Sequence, residues 1–297
     1  MKKALLILVS VFFYLNSGAT SLIVDVATPG TLSTLVLDHS ITELTITGTI
    51  DASDFKFIRD ELIDVTILDL SAITIADYTG NKGTASEASV YYPPNSIPQS
   101  AFFNSIAGVG RDSFTKITLP QSIFTIDDHA FDNCIGLKGT LVIPDKVTNI
   151  GVGAFNQCTS LSRIVLPNTT LTIEDQAFYQ CIMVTEELFI PEKVSTIGTG
   201  AFCMIAGPIR VDPNNKFFSS LDGVLFDNDF SSLIQCPTSK TGTYTIPNTV
   251  KSIGVGAFDD CTELTGTLIL PLLFSLSAKK HSLTVQDSQV YLLSLIH

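Results

Sequence analysis

The feature that most constrains this chain is a repeat of 23 or 24 residues. Ala-Phe pairs fall at Ala101-Phe102, Ala130-Phe131, Ala154-Phe155, Ala177-Phe178, Ala201-Phe202 and Ala257-Phe258, at intervals of 29, 24, 23, 24 and 56. An aliphatic-Pro pair keeps step at Leu119-Pro120, Ile143-Pro144, Leu166-Pro167, Ile190-Pro191, Ile246-Pro247 and Leu270-Pro271. The long interval spans about two units plus an insertion. A unit this short cannot bury its own apolar face, so neighbouring units must stack and bury a continuous one. Hydrophobic residues make up 45% of the chain and charged residues 15%, which excludes a disordered repeat and fits a continuous core.

Each coil is expected to carry two short strands. Alternation points Ile117 and Leu119, Leu141 and Ile143, Ile164 and Leu166, Leu188 and Ile190, and Leu268 and Leu270 inward on the first. Pro ends that strand, because it donates no ladder hydrogen bond. The second strand carries Val147/Ile150, Val194/Ile197 and Val250/Ile253, with Gly151, Gly198 and Gly254 marking the turn that follows. The Phe of the Ala-Phe turn fills the interior. Cys134, Cys158, Cys181 and Cys261 each follow that Phe by three residues. In-register coils put such Cβ atoms roughly 4.8 Å apart, wider than the roughly 3.8 Å of a disulfide. The spacing therefore predicts a ladder of buried thiols. Cys203 leaves the register, and Cys236 falls in the insertion.

The pattern I-P-x-x-V-x-x-I-G-x-x-A-F-x-x-C-x-x-L over residues 143–161 resembles the BspA-like leucine-rich repeat of Bacteroidetes surface proteins, and it recurs over residues 97–271. The resemblance implies a leucine-rich-repeat solenoid, a β-rich right-handed superhelix with short strands and short helical turns. It also implies adhesion to host matrix or plasma proteins and to other bacteria. Residues 214–226 resemble the degenerate hairpin coil of that family, expected here at about 212–242. Asp222-Gly223 independently predicts a tight turn.

The ends are read separately. Lys2 and Lys3, an apolar run over residues 4–15, and Ser17-Gly18-Ala19 form a secretory signal peptide over residues 1–19, too short to span a membrane. This places the mature chain in the secretory pathway, at the cell surface, outside the cell or in the periplasm, with no membrane span. Residues 20–96 lack the period and are expected to be diverged capping coils. Within them residues 35–37, 44–47 and 65–71 read as strands, residues 54–60 as a short helix and residues 79–94 as a surface loop. After Pro271 the pattern stops, and residues 272–297 read as an atypical tail, either that of an array truncated or frameshifted after about Leu270 or a noncanonical cap.

Little in the sequence suggests catalysis. His39, His129, His281 and His297 are far apart, and no metal-ligand spacing, nucleophile elbow or phosphate loop occurs. Asp127-Asp128-His129 reads as a solvated turn and Asp227-Asn228-Asp229 as a hairpin tip. A net charge of −12 without a basic run argues against nucleic acid. No enzyme activity, cofactor or metal is expected. The sharper feature is the outward row on the first strand, where Val142, Val165 and Phe189 form an apolar stripe rimmed by Arg163 and Glu187. An apolar patch with a polar rim suits a protein ligand. The same row also meets β-propensity alone, or lies under the hairpin insertion. The function read from the sequence is thus an exported adhesion module. A self-associating surface protein and a hydrolase are the alternatives.

Overall fold

The computed structural model describes residues 12–16, 19–85, 89–265 and 268–269. The chain is a β-solenoid of about ten turns with a spacing of about 23 residues and little helix. Most of the signal-peptide residues and all of the atypical tail, with Leu270, lie outside the described residues. Phe12–Asn16 runs antiparallel to Ala19–Val26, pairing Asn16 with Ala19.

Two columns of parallel strands run along the solenoid, one for each strand of the coil. The second-strand column is continuous. Ser96–Ile97, Thr125–Ile126, Asn149–Ile150, Thr172–Ile173 and Thr196–Ile197 form one sheet. Each strand is only two residues long, because Gly, Pro or an acidic residue follows at once and the chain turns. Gly198 allows that turn physically. A Cβ there would lie 2.3 Å from the backbone nitrogen of Asp175 in the preceding coil, and one on Gly151 would lie 2.7 Å from that of Asp128. The first-strand column is broken. Gly139–Val142 pairs with Leu161–Val165, and Leu188–Ile190 pairs with Ile209–Val211, but the two pairs belong to separate sheets.

The Ala-Phe turn joins the coils a third time. The Phe amide donates to the Ala carbonyl of the next coil at 2.8 Å, from Phe102 to Ala130, Phe131 to Ala154, Phe155 to Ala177 and Phe178 to Ala201. The rings follow the backbone. Phe131, Phe155, Phe178 and Phe202 stack at centroid distances of 4.9, 5.3 and 5.8 Å, within 7° of parallel. The thiols form the expected ladder. All six cysteines are free and buried. Cys158 donates to the Phe131 carbonyl and Cys181 to that of Phe155, each at 3.3 Å, and Cys134 lies 4.0 Å from that of Phe102. Ile117 and Ile197, expected inside, are only partly buried against the core.

The N-terminal stretch is where the sequence reading changes most. The coil spacing absent from its residue types is present in its backbone register. Ser21 pairs with Glu43, Glu43 with Ile67, and Ile67 with Lys116, all in parallel strands. Residues 35–37 are not a strand. Leu32–Leu35 is one helical turn, and Leu32 is buried. Leu32 and Gly30 donate their amides at 2.9 and 2.7 Å to Asp54, the N3 residue of the helix Ala52–Asp60. Asp51 caps that helix in a capping box with Asp54. The helix follows the predicted 54–60 segment closely, extended by two residues. Residues 79–94 are not a plain loop either. Tyr78–Gly80 and Val90–Tyr92 pair as an antiparallel hairpin.

Two buried arginines fasten this region to the regular coils. Arg59 donates to the carbonyls of Thr84, Ser100 and Phe103. Arg111 donates to those of Ile58, Arg59, Leu62 and Val65 and covers the Phe114 ring at 4.5 Å. At the other end, Phe218–Leu221 and Val224–Asp227 form the expected hairpin around Asp222-Gly223, both in the left-handed region with φ of 51° and 80°. The core is divided at this hairpin. One cluster reaches from Leu22 to Leu225, and a second contains Val224, Phe226, Tyr244, Phe258 and the two cysteines Cys236 and Cys261.

Candidate functional site

The outward row of the first strands lies across the break in that column. Val142 pairs with Val165 and is 57% exposed, while Val165 and Phe189 are half-buried. The inward neighbours Leu141, Ile164, Leu188 and Ile190 are buried, so the alternation read from the sequence holds on these strands. Arg163 stands opposite Thr140, not opposite Glu187. Glu187 directly precedes the strand Leu188–Ile190 of the next sheet, and its carboxylate accepts from Arg210 Nε at 2.6 Å. Arg163 Nε faces Glu186 Oε2 at 3.4 Å.

Two residues of this group escaped the sequence reading. Arg210 is paired with Phe189 in the ladder and places its guanidinium 4.4 Å from the centre of the Phe189 ring. Phe189 is therefore half of a cation–π pair and not a bare apolar residue. The signal was present: Ile209-Arg210-Val211 repeats Leu188-Phe189-Ile190, with Pro213 displaced by one position. Glu186 is the other. Where the sheet breaks, Arg163, Val165, Leu166, Glu186, Glu187, Phe189 and Arg210 line a shallow cleft of about 340 Å³. The cleft has an aromatic and aliphatic floor between two arginines and two glutamates. A second outward row, at the entry to the strands of the continuous sheet, also went unread. Phe124 and Leu171 are 48% and 44% exposed there, with Thr148 between them.

The acidic turn Asp127-Asp128-His129 is not merely solvated. Asp128 accepts the Val152 amide at 2.8 Å, as Asp175 accepts that of Thr199 one repeat pair later. His129 Nδ1 lies 2.8 Å from Asp132 Oδ2, and that hydrogen bond holds the imidazole pKa above its usual value. Burial pushes the Asp127 carboxyl up to about 6. These groups brace neighbouring coils. Asp227 likewise accepts from Ser231 Oγ and the Ser232 amide and closes the second turn of the hairpin coil. Among the described residues, no group of three or more His, Cys, Asp or Glu side chains is placed to hold a metal ion.

The pattern of the BspA type leucine rich repeat region matches residues 95–210 and 235–276 in six copies, together more than half of the chain. The chain belongs to the BspA-type leucine-rich-repeat family. No curated protein is significantly similar to it. Among solved structures, it resembles a leucine rich cell surface protein of Faecalibacterium prausnitzii at 21% identity and a TM-score of 0.54, covering 89% of this chain and 73% of that one. It also resembles the pneumococcal vaccine antigen PcpA at 18% identity and a TM-score of 0.54, covering 89% of this chain and 63% of that antigen. These likenesses show the fold. BspA-type proteins are cell-surface proteins, and membership marks this chain as a protein-interaction or surface module. Leucine-rich-repeat proteins are in general binding modules and not enzymes. No helix among the described residues is long and apolar enough to cross a membrane.

Proposed function

We propose that this BspA-type chain is an exported adhesion module that binds a protein ligand, a host matrix protein or a bacterial surface protein, through the broken first-strand face. The observation that carries the reading is the cleft at the break. Phe189 under Arg210, with Val165 and Val142 in line and Arg163, Glu186 and Glu187 at the rim, combines an aromatic anchor with a polar border. Interfaces draw their affinity from such aromatic and Arg centres and their selectivity from the charged rim. Residues 1–19 would direct export, which N-terminal sequencing of the protein from its native host can check.

The binding test uses the purified chain against immobilised host matrix proteins and bacterial surface fractions. Val165→Lys with Phe189→Glu, checked for wild-type circular dichroism, should abolish retention of a ligand that the wild type holds. Unchanged retention by the folded variant rejects this face. A wild type that binds neither panel rejects adhesion to these ligand classes.

A further inference from the structure

One coil boundary differs from the others in what faces its cysteine. At the regular boundaries, a Phe amide donates to the Ala carbonyl of the next coil, and the next coil's Cys thiol approaches that Phe's own carbonyl. At those boundaries the residue whose carbonyl the thiol approaches is a Phe of the stacked ring column. The hairpin coil has no Ala-Phe pair. Its last strand, Ser232–Gln235, pairs Leu233 with Ile253. The chain then reaches the turn after three residues, where regular coils take five from Ile150 to Phe155. The residue that arrives is Cys236. Its amide donates to the Ala257 carbonyl at 2.8 Å, the bond that Phe102, Phe131, Phe155 and Phe178 make elsewhere. Cys236 occupies the Phe position of its coil.

The next coil's ladder thiol is Cys261. It points at the Cys236 carbonyl at 3.7 Å, as its counterparts point at Phe carbonyls. Both thiols also converge on one oxygen, the Pro237 carbonyl, each at 3.7 Å. At this boundary the ladder thiol faces a cysteine where its counterparts Cys158 and Cys181 face a Phe. We propose that Cys236 and Cys261 form a disulfide that clamps the last described coil to the hairpin coil.

The step is an exchange. The pair gives up two protons and two electrons, and one Cys236–Cys261 S–S bond forms. A disulfide oxidant accepts both electrons and leaves as two thiols. Both sulfurs are buried, and the hydrogen bond with the neighbouring Cys236 thiol, together with burial, holds the Cys261 thiol well above its usual pKa. Exchange needs a thiolate, so the bond forms while this coil is still open, before the thiols are sealed in. The clamp is useful at this place because the second core cluster is small and separate from the main one. The supply of oxidant in the native setting rests on the export proposed above. The chemistry of the pair does not.

The test uses the full purified chain, refolded with either oxidised or reduced glutathione, then denatured and treated with a maleimide. The oxidised sample should take up four additions for its six cysteines, and peptide mass mapping should place the crosslink between Cys236 and Cys261. The loop closed is 25 residues, so melting of the C-terminal coils should rise by roughly 5–10 °C over the reduced sample. Cys261→Ser should lose both the crosslink and the oxidant-dependent shift. Six additions to oxidised, folded wild type, or a crosslink mapped to any other pair of cysteines, Cys203 with Cys261 included, would overturn the assignment. The wild-type mapping decides even where the variant fails to fold.

Discussion

Replacing Phe155 by Ala probes what holds the solenoid together. Phe155 is completely buried and lies between two parallel rings, with Phe131 at 4.9 Å and Phe178 at 5.3 Å. Truncating a buried Phe to Ala costs about 3–5 kcal/mol, from lost transfer energy plus the cavity left behind. Each aromatic pair adds about 0.5–1.5 kcal/mol beyond its buried area. Collapse around the cavity is restricted, because the Phe155 and Ala177 backbones are tied at 2.8 Å and the Phe131 and Ala154 backbones likewise. A loss of about 4–5 kcal/mol is therefore expected, at the upper end of the range. Repeats couple mainly to their neighbours, so the damage should be local. Urea unfolding followed by far-UV circular dichroism should shift to lower urea and separate into two transitions, one for the coils on each side. Phe155→Leu keeps most of the volume and should cost about 1–2 kcal/mol. A Phe155→Ala loss below about 1 kcal/mol would refute the view that the ring column carries the stacking energy.

Three further outcomes follow from other contacts. Gly198→Val should cost at least about 2 kcal/mol in the same denaturation, since its Cβ would fall 2.3 Å from the Asp175 backbone; a neutral result would mean that adjacent coils can spread freely. Arg111→Met removes a buried guanidinium that satisfies four carbonyls of residues 58–65, so about 3 kcal/mol should be lost and the N-terminal coils should become the first cleaved by protease. Stability should also fall as pH rises from about 4 to above 7. The Asp127 carboxyl, raised from 3.8 to about 6, favours the fold while neutral, a contribution complete below pH 3.8 and lost as pH rises through about 6. The His129 imidazole, raised above 6.5 by Asp132, contributes fully below pH 6.5 and loses that contribution as pH passes its folded value. Thermal melts of wild type and of Asp127→Asn with His129→Gln should differ in slope over this range, and parallel slopes would discard both assignments.

How much of this was legible in residue types depends on what each contact requires. The inward Leu and Ile positions from Leu141 to Ile190, the Phe column and the thiols of Cys134, Cys158 and Cys181 were readable because each demands one side-chain type at one spacing. The N-terminal coils were not. Their alignment, Ser21 to Glu43 to Ile67, is made by backbone hydrogen bonds that any residue can supply. The candidate site was half legible. Val142, Val165 and Phe189 could be placed outward from alternation, but Arg210 was concealed by one displaced Pro, and its contact with Phe189 depends on a ladder register.

The sequence by itself thus determined the repeat, its core and the number of residues in a coil, because stacked identical units require identical residues at the point of contact. The tertiary structure alone decided where the first-strand sheet breaks, which charges meet across the break, and that Cys236 stands where a Phe belongs. Those outcomes turn on shifts of one or two residues in coil length. A shift of that size leaves composition and pattern almost unchanged, yet it redirects every side chain that follows until the next backbone bond restores the register.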